Sequence, residues 1–303
     1  MIKVANLTRL YGAQKAIDNL SFSVGSGEIL GFLGPNGAGK STTMKILTGF
    51  IQASEGKAEV AGYDVADHPL EVRKRVGYLP EHNPLYLDMY VHEFLEFAAR
   101  MYHLPKSSRK QRIAEVIEQT GLGREQHKQI GMLSKGYRQR VGLSQALIHD
   151  PEVLILDEPT TGLDPNQIVD IRAMIREVGK DKTVIFSSHI LSEVEAISDR
   201  VIIINRGQMV ANADLTELQQ SAAEDTLISL EVEQPGLDLS SLDHSISVET
   251  ISDTRFDLKT GSDNDIRRAL FDLCVEQDNA ILSMTRSTFT LEDIFRKLTQ
   301  SPA

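Results

Sequence analysis

The stretch Gly34-Pro35-Asn36-Gly37-Ala38-Gly39-Lys40-Ser41-Thr42 constrains the fold of this chain more than any other. It fits G-x-x-x-x-G-K-[ST], the pattern of a loop that cradles phosphate. The apolar run Glu28-Ile29-Leu30-Gly31-Phe32-Leu33 before it has the composition of a strand, and Thr42-Thr43-Met44-Lys45-Ile46-Leu47 after it predicts a helix. A strand that enters a helix through a glycine-rich turn gathers backbone N–H groups and the positive end of the helix dipole at one point. An anion is the natural occupant, with Lys40 reaching the terminal phosphates and the Ser41 hydroxyl holding Mg²⁺. The bland alternative is a glycine-rich turn that merely caps a helix.

A chain of 303 residues has room for one large domain and a smaller one. With 41% hydrophobic and 25% charged residues it has the balance of a soluble globular protein. No apolar run approaches the ~18 residues a membrane span requires, and no charged-then-apolar leader opens the chain, so work at a membrane is expected to go through a partner. The net charge of −11 argues against nucleic acid as a ligand, because phosphate-backbone affinity rests on Lys and Arg. The one cysteine, Cys274, lies among Ala269, Leu270, Phe271, Leu273 and Val275, which predicts a buried, inert thiol and a reducing compartment.

The rest of the chain predicts an α/β core. Alternating segments at 2–7 and 21–24, and a further edge strand at 56–62, precede a helical insertion over about 91–130. There His92 to Met101 carries an apolar stripe, and a helix from Arg109 to Thr120 closes at Gly121. The runs Val153-Leu154-Ile155-Leu156-Asp157 and Thr183-Val184-Ile185-Phe186-Ser187-Ser188 suit strands buried on both faces of a largely parallel sheet. Between them Ile168, Ile171, Ile175 and Val178 mark one face of a helix, and Arg200 to Gly207 gives another strand and turn. The expected first domain is 1–217. Residues 222–303 predict a small α+β domain with strands at 227–232, 245–248, 255–258 and 281–284. Its helices are a 265–276 segment and a closing one capped by Thr290 with Asp293 three residues on.

Two further motifs carry chemistry. The strand 153–157 ends in Asp157-Glu158, followed by Pro159-Thr160-Thr161-Gly162-Leu163-Asp164. A carboxylate at the end of a buried strand is costly unless it faces a cation, which makes Asp157 a partner for Mg²⁺. Glu158, one residue on, is placed to polarise the water that attacks a terminal phosphate. Without the phosphate loop, two carboxylates opening a solvated turn would be the default. The other motif is Leu133-Ser134-Lys135-Gly136-Tyr137-Arg138-Gln139-Arg140. Ser134 is expected to cap the helix that follows, making a second anion site. One nucleotide does not need two such sites from one chain. In a head-to-tail homodimer, Ser134 and Gly136 of one copy would close over nucleotide held by the other.

Together these motifs resemble the nucleotide-binding subunit of an ATP-binding-cassette (ABC) transporter over roughly residues 2–217. Residues 34–42 match that family's Walker A loop, 133–140 its signature motif, and 153–158 its Walker B strand with the catalytic Glu. Residues 161–164, Asp164 included, fall on its D-loop, and His189 on its switch histidine. Tyr11 sits where the family stacks an aromatic on adenine. The resemblance implies a P-loop NTPase core with a helical subdomain at about 84–148 and a C-terminal α+β accessory domain at 222–303. It further implies ATP and Mg²⁺ as cofactors, and a homodimer formed through an ATP sandwich.

This sequence departs from most of the family at Glu81, where glutamine is usual after Gly77-Tyr78-Leu79-Pro80. A Glu there offers an oxygen to Mg²⁺ but adds negative charge beside a triphosphate. The substitution is typical of the multidrug-export-like branch, whose partner is an integral membrane permease of the ABC-2 type. Within it, residues 80–86 and 164–167 most resemble gliding-motility-associated ATP-binding subunits. The implied function is an ATP-hydrolysing exporter motor, cytoplasmic and peripheral on the inner face of the cell membrane. The alternative is a soluble ABC ATPase that acts on ribosomes or DNA, against which stand the single cassette and the acidic balance.

Overall fold

The structure, a computed structural model, describes residues 1–217, 225–240, 242–243, 246–261, 265–288 and 295. It divides into two compact units, Met1–Leu215 and Thr216–Ala303.

The first unit is built on two sheets. Strands β1 (Ile2–Tyr11) and β2 (Gln14–Val24) form a hairpin whose turn residue Gly12 has φ of 60°. β1 also pairs with β4 (Glu55–Val60), and β4 with the short β5 (Tyr63–Asp64), giving the antiparallel order β2-β1-β4-β5. The edge strand expected over 56–62 is therefore an inner one. Ala61 and Gly62, both with positive φ, turn the chain back so that Tyr63 and Asp64 take the edge.

The second sheet has the order β10-β9-β3-β8-β7-β6, from β3 (Ile29–Leu33), β6 (Val76–Leu79), β7 (Val153–Asp157), β8 (Thr183–Ser188), β9 (Arg200–Asn205) and β10 (Gln208–Asp214). All neighbours are parallel except β10 on β9. Every residue of β3, β7 and β8 is buried, which is why these strands lack the alternation seen in β1 and β2. Helix α1 (Lys40–Leu47) lies between the sheets, where Met44, Ile46 and Leu47 share one core with Leu7 and Leu20 and with Phe32, Ile155 and Ile185. α6 (Pro165–Gly179) and α7 (Leu191–Ile197) pack on β8 and β3, α6 burying Ile171 and Ile175.

Between β6 and β7 runs the helical segment. It comprises α3 (Val91–Met101), α4 (Lys106–Gln119), a single 3-10 turn at Ile130–Met132, and α5 (Lys135–Leu147). The stretch 91–130 is thus not continuously helical. His103 and Gly121, with φ of 57° and 65°, end α3 and α4. α4 begins three residues before Arg109 because Pro105 holds φ at −57° at its N-cap. The short elements α2 (Pro69–Arg75), α7, β5, β6 and β10 were not anticipated from the sequence.

The second unit is an antiparallel sheet, β12-β13-β11-β14, made of β11 (Asp225–Val232), β12 (Ser247–Ser252), β13 (Arg255–Gly261) and β14 (Ile281–Thr288). Helix α8 (Arg267–Glu276) starts two residues later than expected, since the Asp265 carboxylate accepts the Arg267 N–H at 3.2 Å. Ile228, Leu230, Phe256 and Leu258 form a core with Leu270 and Cys274 of α8. Cys274 is buried as expected, and burial pushes its thiol pKa up. The closing helix with Thr290 and Asp293 lies outside the described residues.

Candidate active site

The phosphate loop joins β3 to α1, and its conformation demands glycine at specific points. Gly39 has φ of 109°, and a Cβ there would stand 2.5 Å from the Ala16 carbonyl of β2. A Cβ on Gly34 would run into the Ile204 carbonyl of β9. Gly37, with φ of 80°, is the opposite case: a Cβ there meets nothing within 4 Å, so its backbone faces open space. No side chain caps α1 and no acidic residue occupies its first turn, which leaves its opening amides to an anion. Gly207, at the β9–β10 turn, ties this region together. Its N–H donates to the Ala38 carbonyl at 2.9 Å, and its own carbonyl accepts the Asp18 N–H of β2 at 2.9 Å.

Lys40 opens α1 and is 5% exposed. Its Nζ donates to the Gly34 carbonyl at 2.8 Å and the Pro35 carbonyl at 3.3 Å, and lies 3.3 Å from Glu158 Oε1. Glu158 Oε1 is a buried oxygen with no hydrogen bond of its own. The other oxygen, Oε2, accepts from Thr161 Oγ1 at 3.2 Å and lies 2.9 Å from His189 Nδ1. Three of the residues singled out from sequence are thus one cluster: Lys40 from α1, Glu158 after β7, and His189 after β8.

A second cluster adjoins it. Asp157, 1% exposed, accepts from Ser41 Oγ at 3.0 Å and from Ser187 Oγ at 2.7 Å. Burial pushes its carboxyl above the usual carboxylate range, and the neighbouring Glu81 and Glu158 add to that, while the two hydroxyls oppose it. Carboxylates gathered in this way, with the Ser41 hydroxyl beside them, form an oxygen donor set suited to a divalent cation. Glu81, Ser41 and Asp157 line one cavity of about 600 Å³, together with Tyr78, whose hydroxyl is buried without a partner. Burial and the charges of Asp157 and Glu81 raise the Tyr78 phenol pKa.

The uncapped amides of α1, the open face of Gly37 and the gathered carboxylates fit a bound phosphate chain with Mg²⁺. Ser41, Asp157 and Glu81 are the residues that would hold the metal, which supplies neutralisation of phosphate charge at that point.

The remaining sequence-predicted residues stand elsewhere. Ser134 caps α5, accepting the Tyr137 N–H at 3.4 Å, and Gly136 packs so closely on α6 that a Cβ would strike the Gln167 side chain. Asp164 caps α6 by accepting the Gln167 N–H at 3.0 Å. These three therefore gather where α5 meets α6. Tyr11, 49% exposed at the end of β1, has the Arg9 guanidinium 4.9 Å from its ring centre. Sequence reasoning missed Ser187, which links the two clusters by donating to Asp157 and accepting the Glu158 N–H at 2.9 Å. It also missed Glu193, 2% exposed on α7, which accepts from Ser188 Oγ at 2.6 Å and so fixes the turn that carries His189. The available signal was a pair of hydroxyls at a strand end beside a histidine.

A phosphate loop between a buried strand and a helix, facing two successive carboxylates from another strand of the same sheet, defines a P-loop ATPase. The comparisons with known proteins agree. Residues 17–161 match the family model "ABC transporter". The chain is 34% identical to the uncharacterised ABC transporter ATP-binding protein YxlF of Bacillus subtilis (strain 168), covering 98% of this chain and 99% of that one. It is 35% identical to the bacitracin transport ATP-binding protein BcrA of Bacillus licheniformis, over 98% and 97%. A solved ATP-binding subunit of an ABC transporter superposes with a TM-score of 0.66 at 31% identity, covering 73% of this chain and 92% of that one. The chain belongs to the ATP-binding proteins of ABC transporters, and is an ATPase of that type with ATP and Mg²⁺ as its cofactors.

Proposed function

We propose that this chain is the motor subunit of an ABC-2-type exporter. Two copies sandwich two Mg·ATP and drive a separate integral membrane permease from the cytoplasmic face of the cell membrane. The observation that carries this reading is the buried Lys40–Glu158 pair, with the exposed His189 against Glu158, beside Ser41–Asp157. The near-full-length likeness to a bacitracin transport protein favours export. Among the described residues no helix is long and apolar enough to cross a membrane, in keeping with a separate permease.

In this reading residues 1–217 form the nucleotide-binding domain, with 84–148 as its helical subdomain, and 222–303 form an accessory domain. Residues 34–42 cradle the phosphates, and Lys40 exchanges the Gly34 and Pro35 carbonyls for phosphate oxygens. Glu158 accepts a proton from the attacking water, and His189 contacts the terminal phosphate while holding Glu158 Oε2. Tyr11 stacks on adenine. Ser134, Gly136 and Asp164 meet the nucleotide of the other copy. Glu81, in the cavity with Asp157, reports the metal site to the permease. The process served is gliding motility, a finer assignment that rests on residues 80–86 and 164–167.

The test is to tag the Glu158→Gln chain in its native host, solubilise membranes in detergent with ATP present, and identify what copurifies. A stoichiometric multi-helix membrane protein supports the exporter reading. Ribosomes or nucleic acid would favour the soluble alternative, and gliding is tested separately by the motility of a strain carrying the variant.

A further inference from the structure

Glu158 has φ of 51°, a left-handed backbone that a residue other than glycine adopts only where its surroundings impose it. The next residue is Pro159, whose ring disfavours the right-handed alternative for Glu158 and leaves extended backbone as the competing state. Three hydrogen bonds select the left-handed one. The Glu158 N–H donates to Ser187 Oγ at 2.9 Å, and its carbonyl accepts the Thr161 N–H at 3.2 Å. The buried Pro159 carbonyl accepts from Gln139 Nε2 at 2.9 Å.

The two side chains in this set come from different parts of the first unit. Ser187 belongs to β8, is fully buried and is fixed by Asp157. Gln139 belongs to α5, the helix capped by Ser134, which packs on α3 and α4. Its neighbour Arg140 fastens the same turn, donating to Asp170 of α6 at 2.6 Å and to the Thr120 carbonyl at 3.2 Å. The backbone on one side of Glu158 is thus held by the parallel sheet, and on the other by the helical segment.

We infer that Gln139 is a positioning residue for the hydrolytic step: its amide holds the Pro159 carbonyl and keeps the Glu158 carboxylate facing Lys40 and His189. The inference rests on the reading of Glu158 as the group that activates water. Without the Gln139 donor, a buried carbonyl loses its partner and one restraint on the strained backbone is gone. The carboxylate then spends time displaced from the phosphate end of the site. Because α5 carries the donor, movement of the helical segment reaches the catalytic carboxylate through one hydrogen bond.

The experiment uses the full chain with Gln139→Met, which keeps length without a donor, and Gln139→Lys, which restores one. Steady-state kcat and KM for ATP and the affinity for mant-ATP are measured for each, alone and in the Glu158→Gln background. Gln139→Met is expected to lower kcat about tenfold or more, with KM and mant-ATP affinity within about twofold of wild type. Gln139→Lys recovers most of the loss. Adding Gln139→Met to Glu158→Gln costs nothing further in single-turnover hydrolysis, because the residue acts through Glu158. Unchanged kcat in Gln139→Met, parallel loss of affinity, or a multiplicative loss in the Glu158→Gln background would overturn the proposal. Should Gln139→Met not fold, Gln139→Glu, which turns an oxygen to the carbonyl, carries the same expectations. Wild-type turnover by Glu158→Gln alone would instead sink the reading of Glu158 itself.

Discussion

Lys40 Nζ and Glu158 Oε1 lie 3.3 Å apart, with side chains only 5% and 6% exposed, although 118 positions separate them in the chain. The lysine proposed to bind phosphate and the residue proposed to activate water therefore form an ion pair inside the first unit. Each is paired in a place where a lone ion would be expensive.

Removing one member of this pair should cost more than removing both charges. Lys40→Ala is expected to lower unfolding free energy by about 3 kcal/mol, and Glu158→Gln added to it should restore the greater part. Urea unfolding of the two single variants and the double variant tests this. Lys40→Ala should also bind ATP weakly, and full affinity there would count against its role in the phosphate loop.

Glu158→Gln keeps the shape of the side chain and its contact with His189 but gives up the base. ATP turnover should fall about 10²-fold or more, while nucleotide binding persists and a dimer accumulates with ATP. Steady-state hydrolysis and light scattering with and without ATP report both halves. Near-normal turnover would move the base to another residue.

Gly37 and Gly39 should respond differently to alanine. A methyl on Gly39 meets the Ala16 carbonyl at 2.5 Å and sits at φ of 109°, so Gly39→Ala should lose about 2 kcal/mol or more. A methyl on Gly37 meets nothing within 4 Å, so stability should drop by about 1 kcal/mol while ATP affinity falls sharply. Thermal melts and nucleotide titrations distinguish them. Undiminished affinity in Gly37→Ala would show that phosphate does not approach that face.

His149 supplies a pH test at a residue with no proposed catalytic role. Its ring stacks on Tyr102, the residue after α3, with centres 3.7 Å apart, and Nε2 is 3.2 Å from the Val76 carbonyl of β6. Burial pushes its pKa down from 6.5 to about 4, with the Arg112 and Lys182 cations in the same direction and the Val76 bond and Asp150 opposing. The folded pKa lies below the unfolded one, so the unfolded chain binds the proton first. The contribution is complete above pH 6.5 and is lost as pH falls towards 4, on the order of 3 kcal/mol in all. His149→Phe keeps a stacked ring and should lack this component. Urea midpoints from pH 7 to 4 that fall equally in both proteins would show that His149 is not responsible.

The elements legible in the sequence were those with a strong local cause. The uninterrupted apolar runs of β3, β7 and β8 gave strands buried on both faces, and the stripe of α3 gave a helix. The short elements α2, α7, β5 and β6 were not legible, because they are too short for a period to register and lack the uninterrupted apolar run of β3 or β7. β4 looked like an edge because its neighbour β5 is only two residues long.

The phosphate loop was readable because its chemistry is contiguous: the glycines, Lys40 and Ser41 act where they stand in the chain. The same holds for Asp157 and Glu158 at the end of one strand. What tertiary structure alone decided is how those segments meet. Strand order places β7 and β8 side by side, and only that brings Ser187 onto Asp157 and His189 onto Glu158. Packing of α5 on the following loop brings Gln139 to the Pro159 carbonyl. No local rule specifies either contact, since each joins residues that are distant in sequence. Their geometry is set by burial of the sheet and helices rather than by the residues themselves.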